Sequence, residues 1–486
     1  MSEDAFLDPL VGAAIMVVFS LLWIGLGVHW GRTNSEGTKG YLFAGRNVGL
    51  ALVTATLMAT WVTGNTVLAA PEQAYKIGVW GVIGYCFAGF GLLAFAPLAL
   101  RIRRLMPNGF TSGDFMRLRY GRGAWVPFMA ISVFYFLAFL ITLGMGAGLL
   151  VEALTGLDYH VGLLTVMIVT TIYTLLGGMR GVIGMDFIQA MIILGLLIVV
   201  AFMALTTYSP AEIQAGVIEN KPGHLDLLLP AGLLYAWNTG LFSMGEVFHS
   251  NIWWMRAYSS RPSVNLKGFI VSGVAWMTVP LVAGVVTLVA IAFPGDFDIP
   301  QVNMVLPVVA STLLGPLGAA LIFIVVFAAL ASTGSGLLTA TATLLAQDFY
   351  RPFVNPEADD ETMKQTVRRL IAVLCVLTIA LAWVYVTSMY GLLLFAGALV
   401  GSTVWPVLCG LYWDKTNPVA ASAGMVLGSA SGLVFYFAVS SFGAALTGFV
   451  VSALVTVLGS RAKPQDFDWK ILAYAGHERT SAMKEG

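Results

Sequence analysis

The sequence predicts an all-α protein that crosses a membrane about 13 times. Of its 486 residues, 58% are hydrophobic and only 10% are charged, and the mean hydropathy is +0.86. This composition excludes an ordinary soluble domain. The apolar residues fall in separate runs of helix-spanning length, and most charged residues lie between those runs.

The apolar runs follow one another along the chain and are separated by short polar loops. Each is long enough, or nearly so, for a helix that spans the roughly 30 Å hydrocarbon core of a bilayer. The runs are 8–30, 47–70, 77–100, 124–153, 159–178, 182–207, 227–250, 268–294, 312–343, 367–388, 391–412, 418–440 and 444–460. The first has an acidic flank, which favours a retained anchor over a cleaved signal peptide.

Basic residues predict the orientation, because lysine and arginine are enriched in loops on the cytoplasmic side of a membrane. If the N-terminus is outside, 23 of the 25 basic residues lie on the inner side, and only Lys76 and Lys221 lie outside. We therefore expect a multi-pass protein of the cell membrane, plasma or inner, with a cytoplasmic C-terminus. The lipid bilayer is a partner, nothing indicates a nucleic-acid partner, and no feature indicates an oligomeric state.

Two of the predicted helices contain glycine and polar residues where an unbroken apolar helix is expected. The second run contains ATWVTGNTVLAAP, with Gly64 and Asn65 at its middle. The seventh, five runs later, contains NTGLFSMGEVFHSN, with Gly240 and Gly245. Paired interruptions at matching positions of two halves are typical of transporters built from inverted repeats, whose solute site lies at the breaks.

The ninth run continues into FAALASTGSGLLTATATLLAQDFY, which is unusually rich in hydroxyl side chains. Ser332, Ser335 and Thr339 are spaced so that they share one face of a helix. Hydroxyls in a membrane need partners, and two explanations are open. They bond to backbone carbonyls or packed neighbours, or they replace the water shell of a small hard cation, which prefers oxygen ligands.

Several of these stretches together resemble the sodium/solute symporter family. The motifs, which extend from about Tyr41 to Pro418, are YLFAGRNVGL, ATWVTGNTVLAAPEQAYKIGVWG, YTLLGGMRGVIGMDFIQ, AQDFY and GLYWDKTNP. Within the family, the chain looks most like the active urea transporters of fungi and plants. The resemblance implies a LeuT-like core of ten helices in two inverted five-helix repeats, and sodium-driven symport of a small-molecule substrate by alternating access.

The resemblance also implies a division of the chain into five parts. Residues 1–40 form an additional N-terminal helix and an inner loop. The first inverted repeat covers 41–206 and the second covers 227–412. Two accessory helices follow at 413–460, and residues 461–486 form a cytoplasmic tail.

On the same resemblance, the main sodium site of the family maps onto five residues of this chain. They are the backbone carbonyls of Ala59, Val62 and Ala329 and the hydroxyls of Ser332 and Thr333. Neutral oxygens suit a monovalent ion that must be released, whereas a carboxylate cage favours divalent ions. Sodium is then the coupling ion, and no organic cofactor is expected.

An acid within the sixth run, Asp186, has two explanations. The resemblance implies an acid on the sodium release path. In some relatives this acid joins a second sodium site with hydroxyls on the eighth core helix, two of which Ser332 and Ser335 could supply in this chain. The alternative is an acid at the membrane edge that pairs with Arg180 or another base of an inner loop.

The substrate is expected at the midplane, between the two interrupted helices. The candidate residues are Trp61, Asn65, Thr66, Glu246, His249, Ser250 and Asn251. Glu246 either binds an amine-bearing or urea-like substrate or pairs with His249 one turn later.

We therefore predict a sodium-coupled importer of a small polar organic solute, urea-like or similar to an amine or amino acid. A proton-coupled porter of the same fold, with Glu246 or His249 as the relay, and a transporter-like membrane sensor are the alternatives. No HExxH, catalytic triad or nucleotide-binding loop indicates an enzyme.

Overall fold

The computed structural model describes residues 6–32, 37–299, 301–384, 389–439 and 443–475, which are almost entirely helical. In chain order the helices are α1 (Pro9–Gly31), α2 (Gly37–Phe43), α3 (Leu50–Trp61), α4 (Gly64–Ile77), α5 (Val79–Cys86), α6 (Phe90–Leu105), α7 (Ser112–Tyr120), α8 (Arg122–Thr155), α9 (Tyr159–Thr207) and α10 (Pro210–Asn220). They continue with α11 (Pro230–His249), α12 (Asn251–Ser259), α13 (Pro262–Ala292), α14 (Val305–Leu314), α15 (Pro316–Leu345), α16 (Arg351–Phe353), α17 (Asp360–Ala382), α18 (Met389–Val400), α19 (Val404–Tyr412), α20 (Pro418–Ala438) and α21 (Ala444–Ala462). A π-helical turn, Ala346–Tyr350, follows α15.

Among the described residues, ten helices are long and apolar enough to cross a membrane, or eleven if the bent pair α3 and α4 counts as one span. The predicted all-helical, multi-pass architecture is confirmed, but the count of 13 is not reached. One reason is that the 49-residue α9 is counted once although it covers two predicted runs, 159–178 and 182–207. Its helical geometry is interrupted at Gly178 (φ 55°, ψ −162°), so α9 consists of two helical segments that meet at a kink. At 1.5 Å per residue the two segments together are roughly 70 Å long, more than twice the hydrocarbon core.

The helix with the hydroxyl-rich sequence, α15, lies at the centre of the bundle. The protein buries 78% of its most apolar segment, against 22% for the peripheral helix α1. Of its hydroxyls, those of Ser332 and Thr333 bond to neighbouring helices, whereas those of Ser335 and Thr343 bond within α15.

The sequence-based expectation that Gly240 and Gly245 interrupt the seventh run is wrong. Both lie within the continuous helix α11, and the break comes at Ser250 (φ −72°, ψ 121°), just before α12. Gly245 instead permits a close approach of helices, because its Cα faces the backbone of Val400 and Gly401. Small residues at such crossings are common in membrane bundles.

The start of α3 is tied to the end of α12 by a short parallel β-bridge. The amide of Val48 donates to the carbonyl of Ser259 at 3.0 Å, and the amide of Arg261 donates to the carbonyl of Val48 at 3.0 Å. Nearby, Arg46 packs over the ring of Phe43 at 4.3 Å. Burial lowers the pKa of Arg46 to about 10, so the guanidinium stays charged at neutral pH. The bridge joins the start of the first broken helix, α3–α4, to the end of the second, α11–α12.

Candidate ion and substrate site

The first broken helix is interrupted because two residues leave the helical conformation after α3. Val62 (φ −82°, ψ 100°) and Thr63 (φ −95°, ψ 168°) are extended, and α4 starts at Gly64. A capping box closes the start of α4: Thr63 Oγ1 accepts from the amide of Thr66 at 3.2 Å, and Thr66 Oγ1 accepts from the amide of Thr63 at 3.1 Å. The two segments differ in direction by 58°. Carbonyls at the end of α3 therefore lose their usual helical partners.

The hydroxyl of Thr333 on α15 lies against these carbonyls. It donates to the carbonyl of Thr60 at 3.2 Å and to that of Val62 at 3.3 Å. Oxygens that bind a hard cation at about 2.4 Å and 90° to each other are about 3.4 Å apart. The spacing of these oxygens therefore suits a shared small cation.

The other three candidate sodium ligands are on α3 and α15, the two helices that the Thr333 hydroxyl connects. Ala59 lies two residues before the end of α3, and its carbonyl accepts from the amide of Val62 at 3.2 Å. Ala329 lies one turn before Thr333 on α15, and both alanines are fully buried. Ser332 donates to Asp186 Oδ1 at 2.6 Å. The candidate ligands are thus contributed by two helices that meet at the break.

Asp186 is fully buried on α9 and is hydrogen-bonded by several neighbours. Its Oδ2 accepts from the hydroxyls of Thr56 at 2.5 Å and Thr60 at 3.3 Å, in addition to the Ser332 bond to Oδ1. The second candidate hydroxyl, Ser335, donates to the carbonyl of Ser332 at 2.9 Å, within its own helix. Asp186 is therefore joined to α3 and α15, whereas Ser335 bonds within α15.

The base that pairs with Asp186 is Arg256 on α12. Its Nη2 lies 3.2 Å from Asp186 Oδ2, its Nε donates to Thr56 Oγ1 at 3.1 Å, and Nη2 also donates to the hydroxyl of Thr60. Arg256 is 2% exposed, so its assignment to an inner loop is wrong. Leaving either member of a buried pair alone is costly, about 3–5 kcal/mol. The pair joins α3, α9 and α12 beside the candidate ion site.

Asn251, a predicted substrate residue, connects three elements on the α7 side of the break. Its Oδ1 accepts from the amide of Ser112 at 3.1 Å, and its Nδ2 donates to the carbonyl of Ala340 at 3.0 Å. Nearby, Asp348 accepts from Thr111 Oγ1 at 2.7 Å. These bonds hold α7 against α12 and α15 and close this side of the bundle.

A cavity of about 110 Å³ lies on the other side of the break, toward the Pro230 end of α11. Aromatic rings form most of its wall, and they belong to Trp61, Tyr85, Tyr135, Phe139, Tyr235, Phe242 and Trp276. Its polar lining residues include Thr63, Thr66, Asn238 and Thr239. None of the described lining residues carries a formal charge. The wall therefore suits a small solute with a flat or apolar face.

The predicted substrate residues divide between this cavity and the protein interior. Trp61 and Thr66 line the cavity, and the side chain of Asn65 lies outside the described part of the structure. The other four are fully buried and are not among the lining residues: Glu246, His249, Ser250 and Asn251.

The alternative in which Glu246 pairs with His249 is wrong, because each side chain bonds elsewhere. Glu246 Oε2 accepts from Trp253 Nε1 at 3.0 Å, and His249 Nδ1 lies 2.8 Å from the carbonyl of Gly245. Trp253 in turn packs edge-on against Trp61, with 5.3 Å between ring centroids. Glu246 therefore lies outside the cavity and is connected to its wall through the rings of Trp253 and Trp61.

Three residues around the site escaped the sequence-based selection. Arg256 was counted with the loop arginines, although its stretch NIWWMRAYSS is largely aromatic and apolar, which signals burial. Asn238 is a polar residue within the apolar stretch LLYAWNTGLF. Trp276 has no comparable signal, because a tryptophan in a membrane helix is common.

Residues 41–428 match the family described as the sodium:solute symporter family. The chain is 26% identical to the urea-proton symporter DUR3 of Oryza sativa subsp. japonica, over 88% of this chain and 66% of that protein. It is also 26% identical to the urea active transporter of Saccharomyces cerevisiae, over 88% and 65%. The chain thus spans just under two thirds of the length of these two relatives.

A bacterial relative and two solved structures extend the comparison. The chain is 25% identical to the high-affinity proline transporter PutP of Bacillus subtilis, over 88% of this chain and 95% of that protein. A sodium-coupled sialic acid symporter in a substrate-bound outward-open state superposes with a TM-score of 0.79 at 16% identity, covering 94% and 99% of the two chains. A nucleobase-cation-symport-1 family transporter superposes with a TM-score of 0.53 at 17% identity, over 86% and 93%. The first structure confirms the predicted LeuT-like fold.

Proposed function

Because the chain belongs to the sodium:solute symporter family, we propose that it is a sodium-coupled symporter that imports a small polar organic solute. The observation that most supports this is the position of Thr333, whose hydroxyl lies 3.2 and 3.3 Å from two carbonyls freed by a helix break. Its relatives are transporters of urea and proline, not enzymes. The solute class of this chain is accordingly small and polar.

Sodium binds to the carbonyls of Ala59, Val62 and Ala329 and to the hydroxyls of Ser332 and Thr333. A bound ion turns hydroxyl oxygens toward itself and connects the end of α3 with α15. The relative position of α3 and α4 at the break then depends on the ion. The shape of the cavity wall that Trp61 and Thr66 form depends on the ion as well. This is a direct physical route by which sodium favours solute binding.

The predicted orientation places the cavity toward the outside of the cell and α7 toward the cytoplasm. Support comes from the basic residues, because without the buried Arg256, 22 of the remaining 24 are assigned to the inner side. In this arrangement the outer side is accessible, whereas Asn251 and Asp348 hold the inner side closed. Sodium and solute enter first, and release to the cytoplasm requires that α7 separates from α12 and α15. The membrane is the plasma or inner membrane.

Replacing sodium with choline or potassium tests the choice of ion. Labelled urea and labelled proline are both tested in proteoliposomes. We expect uptake of the one that is transported to fall about ten- to hundredfold without sodium, because coupling free energies between two binding sites are typically about 1–3 kcal/mol. The measurement is made at two pH values, with an imposed proton gradient as the comparison. Uptake that ignores sodium but follows the proton gradient contradicts the proposal.

A proton-coupled mechanism is the second candidate, and Glu246 is the observation that favours it. This acid is fully buried beside the cavity floor, where a carboxylate is costly unless it is paired, protonated or hydrated. The rice relative is described as a urea-proton symporter. A buried acid that exchanges a proton during the cycle would couple transport to pH.

The variant Glu246→Gln separates the two mechanisms, since glutamine can still accept from Trp253 but cannot carry a proton. We expect sodium-dependent uptake to persist, with a loss of less than about tenfold because the hydrogen bond is kept. The matched control is Glu219→Gln, which removes an exposed acid from α10. If Glu246→Gln alone eliminates uptake driven by a proton gradient, the proton mechanism replaces the sodium mechanism.

A further inference from the structure

The segment that follows α21, residues 463–475, folds back onto the α7 side of the bundle. It contains a 3₁₀-helical turn, Trp469–Tyr474, which lies against α6 and α7. Leu472 in this turn is fully buried, and Ala475 directly after it is 2% exposed. The segment is therefore packed as part of the protein, and we call it the strap.

Arg119, near the end of α7, connects α7 to both α19 and the strap. Its Nε donates to the carbonyl of Gly410 at 3.1 Å, and its Nη2 donates to the carbonyl of Trp413 at 2.9 Å. Carbonyls at the C-terminal end of a helix lack helical partners, and a basic side chain satisfies them well. The ring of Phe467 in the strap covers the guanidinium, with 4.3 Å between Cζ and the ring centroid. Arg119 is 3% exposed, and such a cation–π contact is stronger away from water.

A second arginine, Arg101 near the end of α6, holds the other side of the strap. It donates to the carbonyl of Leu411 on α19, and its Cζ lies 4.8 Å from the ring centroid of Trp469. Phe467 and Trp469 pack edge-on against each other, with 5.7 Å between their centroids. Two neighbouring rings of the strap thus link an arginine of α6 to an arginine of α7.

The helix α6 is packed against α12, from which α7 has to separate when solute is released to the cytoplasm. Phe95 of α6 lies 6.1 Å from the ring of Trp254 on α12 and 5.4 Å from the ring of Phe269 on α13. Movement of α7 away from α12 is therefore also movement away from α6. Because the strap contacts both α6 and α7, this separation breaks at least one of its two arginine–ring contacts.

We propose that the strap is an autoinhibitory brake, which binds Arg101 and Arg119 and favours the state in which the inner side of the protein is closed. The proposal goes beyond the proposed function but rests on it for the route of release past α7. Contacts that exist in only one of two states shift the equilibrium toward that state. Detachment of the strap therefore raises the ratio of open to closed molecules, without any change at the ion site or in the cavity.

The distance between two spin labels measures this ratio in the full chain. The labels are attached to Gly123→Cys, just after α7, and Ser263→Cys, at the start of α13, in a background without the native cysteines. Both positions are exposed, and a Cβ at Gly123 meets no atom within 4 Å. Pulsed electron paramagnetic resonance is recorded in nanodiscs without sodium or solute. We expect the double variant Phe467→Ala, Trp469→Ala to raise the ratio of long to short distances about tenfold, equivalent to about 1.4 kcal/mol.

Three further variants distinguish the brake from a general loss of packing. Tyr474→Ala is the matched control, since Tyr474 is in the same turn but is 68% exposed, and it should leave the ratio unchanged. Phe467→Tyr with Trp469→Phe keeps both rings and should retain the wild-type ratio. Asp468→Ala removes the cap of the turn, whose Oδ1 accepts from the amide of Lys470 at 2.9 Å. This exposed substitution should raise the ratio about fivefold, as expected for the loss of a helix cap.

Several outcomes would overturn the brake. They are an unchanged ratio in the double variant and in Asp468→Ala, an equal rise in Tyr474→Ala, and a lower melting temperature with unchanged distances. If the double variant does not fold, Asp468→Ala alone decides. The distances are recorded without sodium, so the result is independent of ion coupling. Uptake that ignores sodium, together with distances that respond to the strap, rejects sodium coupling and retains the brake. Sodium-dependent uptake with unresponsive distances rejects the brake alone.

Discussion

The double variant Ser332→Ala, Thr333→Ala is expected to abolish sodium-dependent uptake while the protein still reaches the membrane. It removes two of the five proposed ion ligands, and the Thr333 hydroxyl also contacts the carbonyls of Thr60 and Val62. Contacts of a charged group with a hydroxyl contribute about 1.5–3 kcal/mol each, so the loss of two lowers sodium affinity at least about hundredfold. The measurement is the sodium dependence of initial uptake, at equal surface expression.

Thr343→Ala is the control for this variant. Thr343 is a buried threonine of the same helix, but its hydroxyl donates to the carbonyl of Thr339 at 2.7 Å, within α15. Its removal should leave the sodium dependence unchanged. An unaltered sodium response in the double variant, or an equal loss in Thr343→Ala, rejects the assignment of the ion site.

Gly245→Ala is expected to lower the stability of the protein far more than Gly240→Ala, although both positions are on α11. A Cβ at Gly245 would lie 2.8 Å from the carbonyl carbon and oxygen of Val400, and backbone atoms of a packed helix cannot easily move aside. Such overpacking costs about 1–3 kcal/mol. At Gly240 the nearest atom, on Phe87, is 3.7 Å away, an ordinary contact.

Thermal unfolding of the purified variants in detergent measures this difference. Gly245→Ala should melt at a lower temperature and be recovered from membranes in smaller amounts. Gly240→Ala should melt near the wild type or above it, since alanine favours a helix over glycine by about 1 kcal/mol. Equal melting temperatures for the two variants would show that the contact with Val400 relaxes at little cost.

The membrane class and the hydroxyl-rich central helix could be predicted because both depend on local sequence. A long apolar run indicates that a helix is surrounded by lipid, and hydroxyls in such a run need hydrogen-bond partners whatever the fold. The interruption of α9 at Gly178 falls where the sequence separates two predicted runs, 159–178 and 182–207. A glycine in sequence signals either a break or a close helix contact, and Gly245 proved to be the second.

The cavity wall could not be predicted from the sequence for a different reason. Asn238 and Trp276 lie on separate helices, and only Asn238 is unusual in its own stretch, as a polar residue among apolar ones. Only the fold shows that both residues line one cavity. Arg256 is similar: charge counting treats an arginine as a loop residue, and only the tertiary structure shows the carboxylate of Asp186 that compensates it.

The neutrality of the Arg256–Asp186 pair has an electrical consequence. The pair carries no net charge, and neither do the proposed oxygen ligands or the described cavity wall. If an uncharged solute crosses with one sodium ion, each cycle moves one positive charge through the bilayer. A membrane potential of about 100 mV then supplies about 2.3 kcal/mol per cycle, equivalent to roughly fiftyfold accumulation of solute. In that case the cell's voltage, in addition to its sodium gradient, would drive the solute inward.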